Sequence, residues 1–185
     1  MFARTERLLL RPGWTQDAPA LYAAVADEAI VRNLASAPWP YTLADAESFL
    51  AMDRSPAEPS MLIFRRTLGA PQLAGAIGLG RRSDGEMELG YWIARPFWGL
   101  GYATEAGRAV IAMARESLRL PRIHAGHFLD NPASGRVLHK LGFRSTGVAP
   151  RFSAGRRELA PCREFALVLD AEEPAPAPAD ARMAA

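Results

Sequence analysis

Apolar positions alternate around Leu8 and Leu10 in residues 5–11, a pattern that predicts a first strand, ended by Pro12-Gly13. Over residues 16–26 the period lengthens. Leu21, Tyr22 and Val25 then share one helical face, with Thr15 as N-cap and Pro19 in the first turn, where proline is tolerated. Pro38-Trp39-Pro40 keeps residues 36–41 extended or turning. Thr42 caps a second helix through Phe49, Leu50 and Met52, with Asp45 at the capping-box position, and residues 54–59 form a loop with two prolines. Two apolar strands, 61–67 and 72–80, flank the turn Leu68-Gly69-Ala70-Pro71. A tight turn at Ser83-Asp84-Gly85 leads into a third strand, Met87-Glu88-Leu89-Gly90-Tyr91-Trp92-Ile93-Ala94. Short turns between three strands imply an antiparallel meander.

Directly after that strand, Gly99 and Gly101 punctuate a turn that opens a long helix. Ala106 or Gly107, Val110, Ile111, Ala114 and Leu118 form its apolar face, and Pro121 stops it. Residues 122–128 read as a strand, and a helix-sized crossover favours parallel pairing with the strand before the glycine turn. Asn131-Pro132 is an N-cap followed by proline at the first helical position. Val137, Leu138 and Leu141 make that helix's stripe, and Gly142 suits the residue after its end. Residues 143–151 and 163–169 are strand-like, joined by a polar turn near Ser153-Ala154-Gly155. The order β-α-α-β-β-β-α-β-α-β-β predicts a mixed sheet flanked by helices, α+β by strict class and α/β in local content. Residues 1–169 are expected to form one domain. Residues 170–185, rich in Ala, Pro and Glu without periodicity, read as a disordered tail.

Composition narrows the function classes. An apolar share of 49% and a charged share of 23% are those of an ordinary globular chain. The charged start and the lack of any long apolar run give no sign of a secretory leader or membrane span, so a cytoplasmic protein is expected. One cysteine, Cys162, rules out an internal disulfide and a multi-cysteine metal site. His124, His127 and His139 have no metal-ligand spacing, and no metal is expected. Net charge is +2, but the tail holds four acids and one base, so the body keeps 21 bases and 16 acids, or +5. That excess favours an anionic ligand. Without a dense Lys/Arg tract and interleaved aromatics it does not indicate nucleic acid.

The glycine turn joins a strand end to a helix start and therefore gathers free backbone amides at the positive end of a helix dipole, which suits a phosphate. A tight strand-to-helix turn with no ligand is the alternative reading of the two glycines. A dinucleotide fingerprint fails, because its third glycine would fall at Thr104, and no Lys-Ser or Lys-Thr follows as a Walker loop requires. Trp98-Gly99-Leu100-Gly101-Tyr102-Ala103 resembles the acetyl-CoA motif of the GNAT-superfamily N-acetyltransferases, Gln/Arg-x-x-Gly-x-Gly/Ala, with Trp98 in place of the first residue. Thr104-Glu105-Ala106, Leu89-Gly90-Tyr91-Trp92 and Asn131-Pro132-Ala133-Ser134 through Phe143 also resemble this family, closest to its ribosomal-protein N-terminal (RimJ/RimL-like) branch. The similarity runs from about Thr5 to Leu169.

The resemblance implies direct transfer of an acetyl group from acetyl-CoA to a primary amine, on a protein or peptide N-terminus or a small molecule. It assigns the pyrophosphate to the main chain of Trp98, Gly99, Leu100, Gly101, Tyr102, Ala103 and Thr104, and the pantetheine arm to Asn131 and to an exposed strand edge at Trp92 and Ile93. Glu88 is the candidate base, with Glu86 in reserve, a water chain as another route, and a plain salt-bridged residue as the simpler reading. Ser134 is the candidate donor to the leaving thiolate, or simply a first-turn helix residue. Trp39 and Tyr41 are expected to line the acceptor cleft or to belong to the core. A non-catalytic acyl-CoA-binding regulatory module is the alternative function. Monomer and homodimer both remain open.

Overall fold

In the computed structural model, which describes residues 1–169, eight strands form one mixed sheet. They are β1 (Ala3–Arg4), β2 (Leu8–Arg11), β3 (Ser60–Arg65), β4 (Gln72–Arg81), β5 (Met87–Ile93), β6 (Arg122–Phe128), β7 (Arg144–Ser153) and β8 (Glu158–Val168), in the spatial order β1-β2-β3-β4-β5-β6-β8-β7. Only β5 and β6 pair in parallel, as the crossover between them requires. The helices are α1 (Ala18–Val25), α2 (Glu28–Val31), α3 (Leu43–Ala51), α4 (Tyr102–Glu116) and α5 (Pro132–Lys140). The expected tail, residues 170–185, lies outside the described residues. Among the described residues no helix is long and apolar enough to cross a membrane.

Strand alternation gives the sheet two apolar faces. Leu8, Leu10, Ile63, Leu89, Ile123 and Phe165 point to one side, where Ala106, Val110 and Ala114 of α4 and Leu138 of α5 cover them. Ile111 and Leu118 pack only partly against this core. Gly107 has a steric reason, since a Cβ there would lie 2.5 Å from Leu141, the residue that caps the end of α5. On the other side Leu62, Phe64 and Ala76 meet α1, α2 and α3.

Local chemistry sets the helix ends. Thr42 and Asp45 close a reciprocal capping box, with Thr42 N–H donating to Asp45 at 2.8 Å and Asp45 N–H to Thr42 Oγ1 at 3.2 Å. Asn131 Oδ1 accepts the Ser134 N–H at 3.3 Å, and Gly142 takes φ +89° after α5. Thr15 does not cap α1. Residues Thr15–Asp17 form a separate 3-10 turn in which Asp17 accepts from Trp14 N–H at 2.8 Å. The short α2, capped by Asp27, was not expected because four residues carry no visible period. β8 begins at Glu158, five residues before the expected start. Pro161, which lies before the expected start of β8, stands opposite Pro150 of the expected strand 143–151 in the β7–β8 ladder. Pro161 turns its carbonyl away from β7, to the Leu129 N–H at 3.0 Å, so the missing N–H groups fall at a pair that needs no ladder bond.

Asp17 anchors the first helical segment. Arg11 stacks between Trp14 and Phe64, 4.0 and 4.2 Å from their ring centroids, and donates to both Asp17 oxygens at 2.7 and 2.8 Å. That hydrogen bonding holds the Asp17 carboxyl below the usual carboxylate range, against the opposing effect of burial. With a depressed folded value, the stabilisation is complete above the free carboxyl's pKa of about 3.9 and is lost as pH falls through the folded value. Asp17→Ala is expected to cost about 3 kcal/mol at neutral pH, because it strands a largely buried guanidinium. Thermal unfolding checks this, and the gap between wild type and variant should shrink below about pH 4.

Candidate functional site

The site begins where two strands part. β5 and β6 pair only at Glu88–His124 and Leu89–Ala125. Beyond that, β5 continues along β4 as far as Ile93 while β6 follows β8 to Phe128, and a wedge opens in the sheet. Arg82 N–H donates to Glu86 and Ala94 N–H to Ala74, both at 2.8 Å, which fixes the backbone alternation. Glu88, Gly90 and Trp92 therefore bond to β4, while Tyr91 and Ile93 turn their backbone groups to the wedge. The edge expected at Trp92 and Ile93 thus belongs to Tyr91 and Ile93. Gly75 of β4 permits the close pairing behind it, since a Cβ there would lie 2.2 Å from the Trp92 carbonyl oxygen.

At the wedge's wide end stands the glycine turn. Gly99 and Gly101 have φ of +77° and +81°, in the left-handed region that glycine enters without strain. A Cβ on Gly99 would meet nothing within 4 Å, so its surroundings are open. The first helical bond of α4 runs from Glu105 N–H to Gly101 at 3.0 Å, leaving the amides of Tyr102, Ala103 and Thr104 without helical acceptors. The side chains of these three residues are buried, so they offer main chain alone. Trp98, expected to offer its main chain, has its backbone N–H committed to the Arg95 carbonyl at 3.2 Å. Its indole N–H donates to the Ile93 carbonyl at 2.6 Å, which locks the turn to the end of β5 and commits the group that the usual Gln or Arg would offer.

Arg7 also borders this turn, unremarked in the sequence. It donates to the Leu100 carbonyl at 2.9 Å, pairs with Glu105 at 2.7 Å, and comes within 3.6 Å of a Cβ built on Gly101. Burial would raise the Glu105 carboxyl, but hydrogen bonds from Thr5 and from Arg7 overcome it and lower the pKa. The half-exposed guanidinium adds a cation at the rim of the amide cradle.

Across the wedge lies the start of α5. Asn131 caps it, and Ser134 places its hydroxyl 2.7 Å from the Tyr91 hydroxyl. Tyr91 shares the α4/α5 face with Leu89 and Ile93, and burial pushes its phenol up to about 12. His127 packs under α5, where a Cβ on Gly135 would come within 2.7 Å of its ring.

Glu88 occupies the opposite face. Its carboxylate lies 2.7 Å from Arg151 of β7, a close ion pair. Arg151 reaches across β8 and β6 and passes over Gly126, where a Cβ would lie 3.5 Å from the guanidinium, an ordinary contact, and 2.9 Å from Cys162 Sγ. Glu164 stands 3.9 Å from Arg151 and 3.5 Å from Arg82, extending the charged floor. Glu86 is 3.6 Å from His124. Gly90 is exposed on this same face, and a Cβ added to it meets nothing within 4 Å. Above the floor, the β7–β8 turn ties down the segment that follows α2. Arg156 donates to the Arg32 carbonyl at 2.6 Å and to both Asp130 oxygens at 2.8 and 2.9 Å. Arg157 donates to the Trp39 carbonyl at 2.9 Å.

The expected aromatic pair divides. Tyr41 is 9% exposed and packs in the core with Ala46 and Leu62, where burial raises its phenol to about 12, so it does not line a cleft. Trp39 is partly buried at the border of that core. Cys162 is a buried thiol raised by desolvation, in keeping with an inert role. Among the described residues no group of His, Cys, Asp and Glu can hold a metal ion. A cavity of about 430 Å³ lined by Phe49, Leu50, Pro56 and Met61 touches neither the glycine turn nor Ser134.

The geometry offers oriented amides for an anion, a strand edge for an extended amide chain, and hydroxyls and carboxylates on opposite faces of one opening. A family model described as acetyltransferase (GNAT) domain matches residues 7–144. The uncharacterized N-acetyltransferase YoaA of Bacillus subtilis (strain 168) is 31% identical over 155 residues, which cover 80% of this chain and 85% of YoaA. A GNAT-family acetyltransferase from Bacillus anthracis superposes with a TM-score of 0.78 at 23% identity, over 91% of this chain and 99% of the other. RimL, a ribosomal L7/L12 alpha-N-protein acetyltransferase solved with coenzyme A, gives a TM-score of 0.74 at 18% identity, over 93% and 100% of the two chains.

Proposed function

Since the chain belongs to the GNAT acetyltransferase family, we propose that it is an N-acetyltransferase whose acceptor is a primary amine, on a protein or peptide N-terminus or on a small molecule. The observation that carries this reading is the wedge between β5 and β6, with Gly99 and Gly101 at its mouth and Ser134 and Glu88 on its two sides.

The residues present fit acetyl-CoA, which when bound supplies an acetyl group activated as a thioester. The amides of Gly99 through Thr104, with Arg7 at the rim, hold the pyrophosphate. The backbone of Tyr91 and the N–H of Ile93, whose carbonyl is taken by the Trp98 indole, pair with the amide arm, beside Asn131. A backbone N–H of the same strand meets the negative charge that develops on the carbonyl oxygen. In the transfer a C–N bond forms and the C–S bond breaks. The amine's proton passes to Glu88 or to water, and the sulfur leaves as a thiolate that takes a hydrogen bond from Ser134. An α-amine, with pKa about 8, gives up its proton more readily than a lysine amine at about 10.4. An arriving ammonium can replace Arg151 beside Glu88, since both are cations and the pair is partly solvated.

Gly90 provides room for the acceptor on the Glu88 face. Gly90→Val is expected to raise the acceptor KM by roughly tenfold, about 1.4 kcal/mol, with acetyl-CoA affinity unchanged. Steady-state kinetics and calorimetry together check it.

A non-catalytic acyl-CoA-binding module is the second reading, and the Glu88–Arg151 ion pair favours it by occupying the candidate base. Thiol release from acetyl-CoA, measured against N-terminal peptides, polyamines and aminoglycosides, separates the two. Acceleration by at least one amine class supports the enzyme, and bound acetyl-CoA with no acceleration by any of them overturns it.

A further inference from the structure

We infer that Tyr91 is a positioning residue for the leaving sulfur, acting through Ser134, an inference that rests on the acetyl-CoA reading of the wedge. The Tyr91 hydroxyl lies 2.7 Å from Ser134 Oγ and 3.2 Å from the Ser134 carbonyl oxygen. Each hydroxyl has one hydrogen to give. If Ser134 donates to the phenol, the Tyr91 hydrogen turns to the Ser134 carbonyl and neither hydroxyl faces a third atom. If Tyr91 donates to Ser134 Oγ, the serine hydrogen is free for an acceptor in the wedge. A developing negative charge at sulfur selects the second arrangement, in which the phenol polarises the serine O–H and strengthens its bond to the anion.

The placement of Tyr91 is independent support. The same residue turns its backbone groups into the wedge and its side chain into the α4/α5 core, so its phenol stands where the strand edge meets the α5 start. Ser134 is held from the other side by its own N–H bond to the Asn131 cap at 3.3 Å. Burial keeps the phenol protonated throughout the neutral range, so it remains a donor. The dyad passes on no proton of its own. It supplies a hydrogen bond to a thiolate, and the proton that finally reaches sulfur comes from solvent.

The test is a titration of bound CoA, which needs no acceptor. The ultraviolet absorbance of the thiolate is followed against pH for CoA in complex with wild type, Tyr91→Phe, Ser134→Ala and the double variant. Calorimetry confirms occupancy, and thermal unfolding confirms that each variant is folded. In wild type the bound thiol should ionise below the free thiol in the same buffer. Ser134→Ala should move it back up by about one unit, the scale of one charge-assisted hydrogen bond, and Tyr91→Phe by a smaller part of that, the roughly 10–30% that a polarising neighbour adds to such a bond. The double variant should match Ser134→Ala, because Tyr91 acts through the serine. A Tyr91→Phe complex that titrates like wild type overturns the inference, as does a Tyr91→Phe shift that persists in the Ser134→Ala background. Wild type that fails to bind CoA at all overturns the functional reading as well, which distinguishes the two failures.

Discussion

Gly101→Val should abolish measurable acetyl-CoA binding while leaving a folded protein. Gly101 sits at φ +81°, where a β-branched residue is strained, so the turn must either store that strain or swing out of the left-handed region. Swinging out rotates the amides that follow it, and those amides are the donors a pyrophosphate requires. Several charge-assisted hydrogen bonds are lost together, and an affinity loss of more than about hundredfold follows, or roughly 3 kcal/mol. The fold tolerates the change because Gly101 is exposed and belongs to neither apolar face. Isothermal calorimetry with acetyl-CoA, beside a thermal melt, reads both effects. Unchanged affinity would remove the turn from the binding site.

The second large effect is expected at Glu88. A positioned general base contributes about 10²–10⁴-fold, and Glu88→Gln should lower kcat within that span for amines that arrive protonated. The loss should be greater for lysine-type amines near 10.4 than for α-amines near about 8, because the latter deprotonate more readily in water. Arg151 complicates the geometry in a testable way. It holds the carboxylate at 2.7 Å, and the glutamine variant leaves it with Glu164 at 3.9 Å. The pH dependence of kcat/KM separates a base from a merely structural partner. A profile unchanged by Glu88→Gln assigns the proton to water.

Much of the scaffold was legible because its signals are local. The meander turns, the positive-φ glycines, the Asn131-Pro132 helix start and the Thr42–Asp45 box each lie within a few residues of what they control. Their physical meaning survives without knowledge of the rest of the chain. The two faces of β5 also follow from period two, which separates Glu88 from Tyr91.

What escaped depends on partners far away in sequence. Tyr91 finds Ser134 across 43 residues, and only the parting of β5 from β6 after two pairs brings them together. Arg151 meets Glu88 across two intervening strands, 63 residues away in sequence, and only the order β5-β6-β8-β7 brings the two together. Arg7 lies at the glycine turn through Glu105 and Leu100, about a hundred residues on. Pro161, outside the expected strand 163–169, looks like a strand breaker until register sets it opposite Pro150. Tyr41 is ambiguous between cleft and core in sequence because it stands in the extended stretch between Pro40 and the second helix, and packing against α3 decides it. Spacing within one segment cannot encode these juxtapositions, since each is a product of sheet order and register.

The central claim is acetyl transfer from acetyl-CoA to an amine through the wedge between β5 and β6. Its most direct test measures released CoA thiol and acetylated amine in the same reaction, with matched peptides whose N-termini are free or blocked and a polyamine alongside. The account predicts one acetylated amine for each thiol released, and only where a primary amine is free. Thiol release indifferent to the amine, or tightly bound acetyl-CoA with neither product formed, would contradict it.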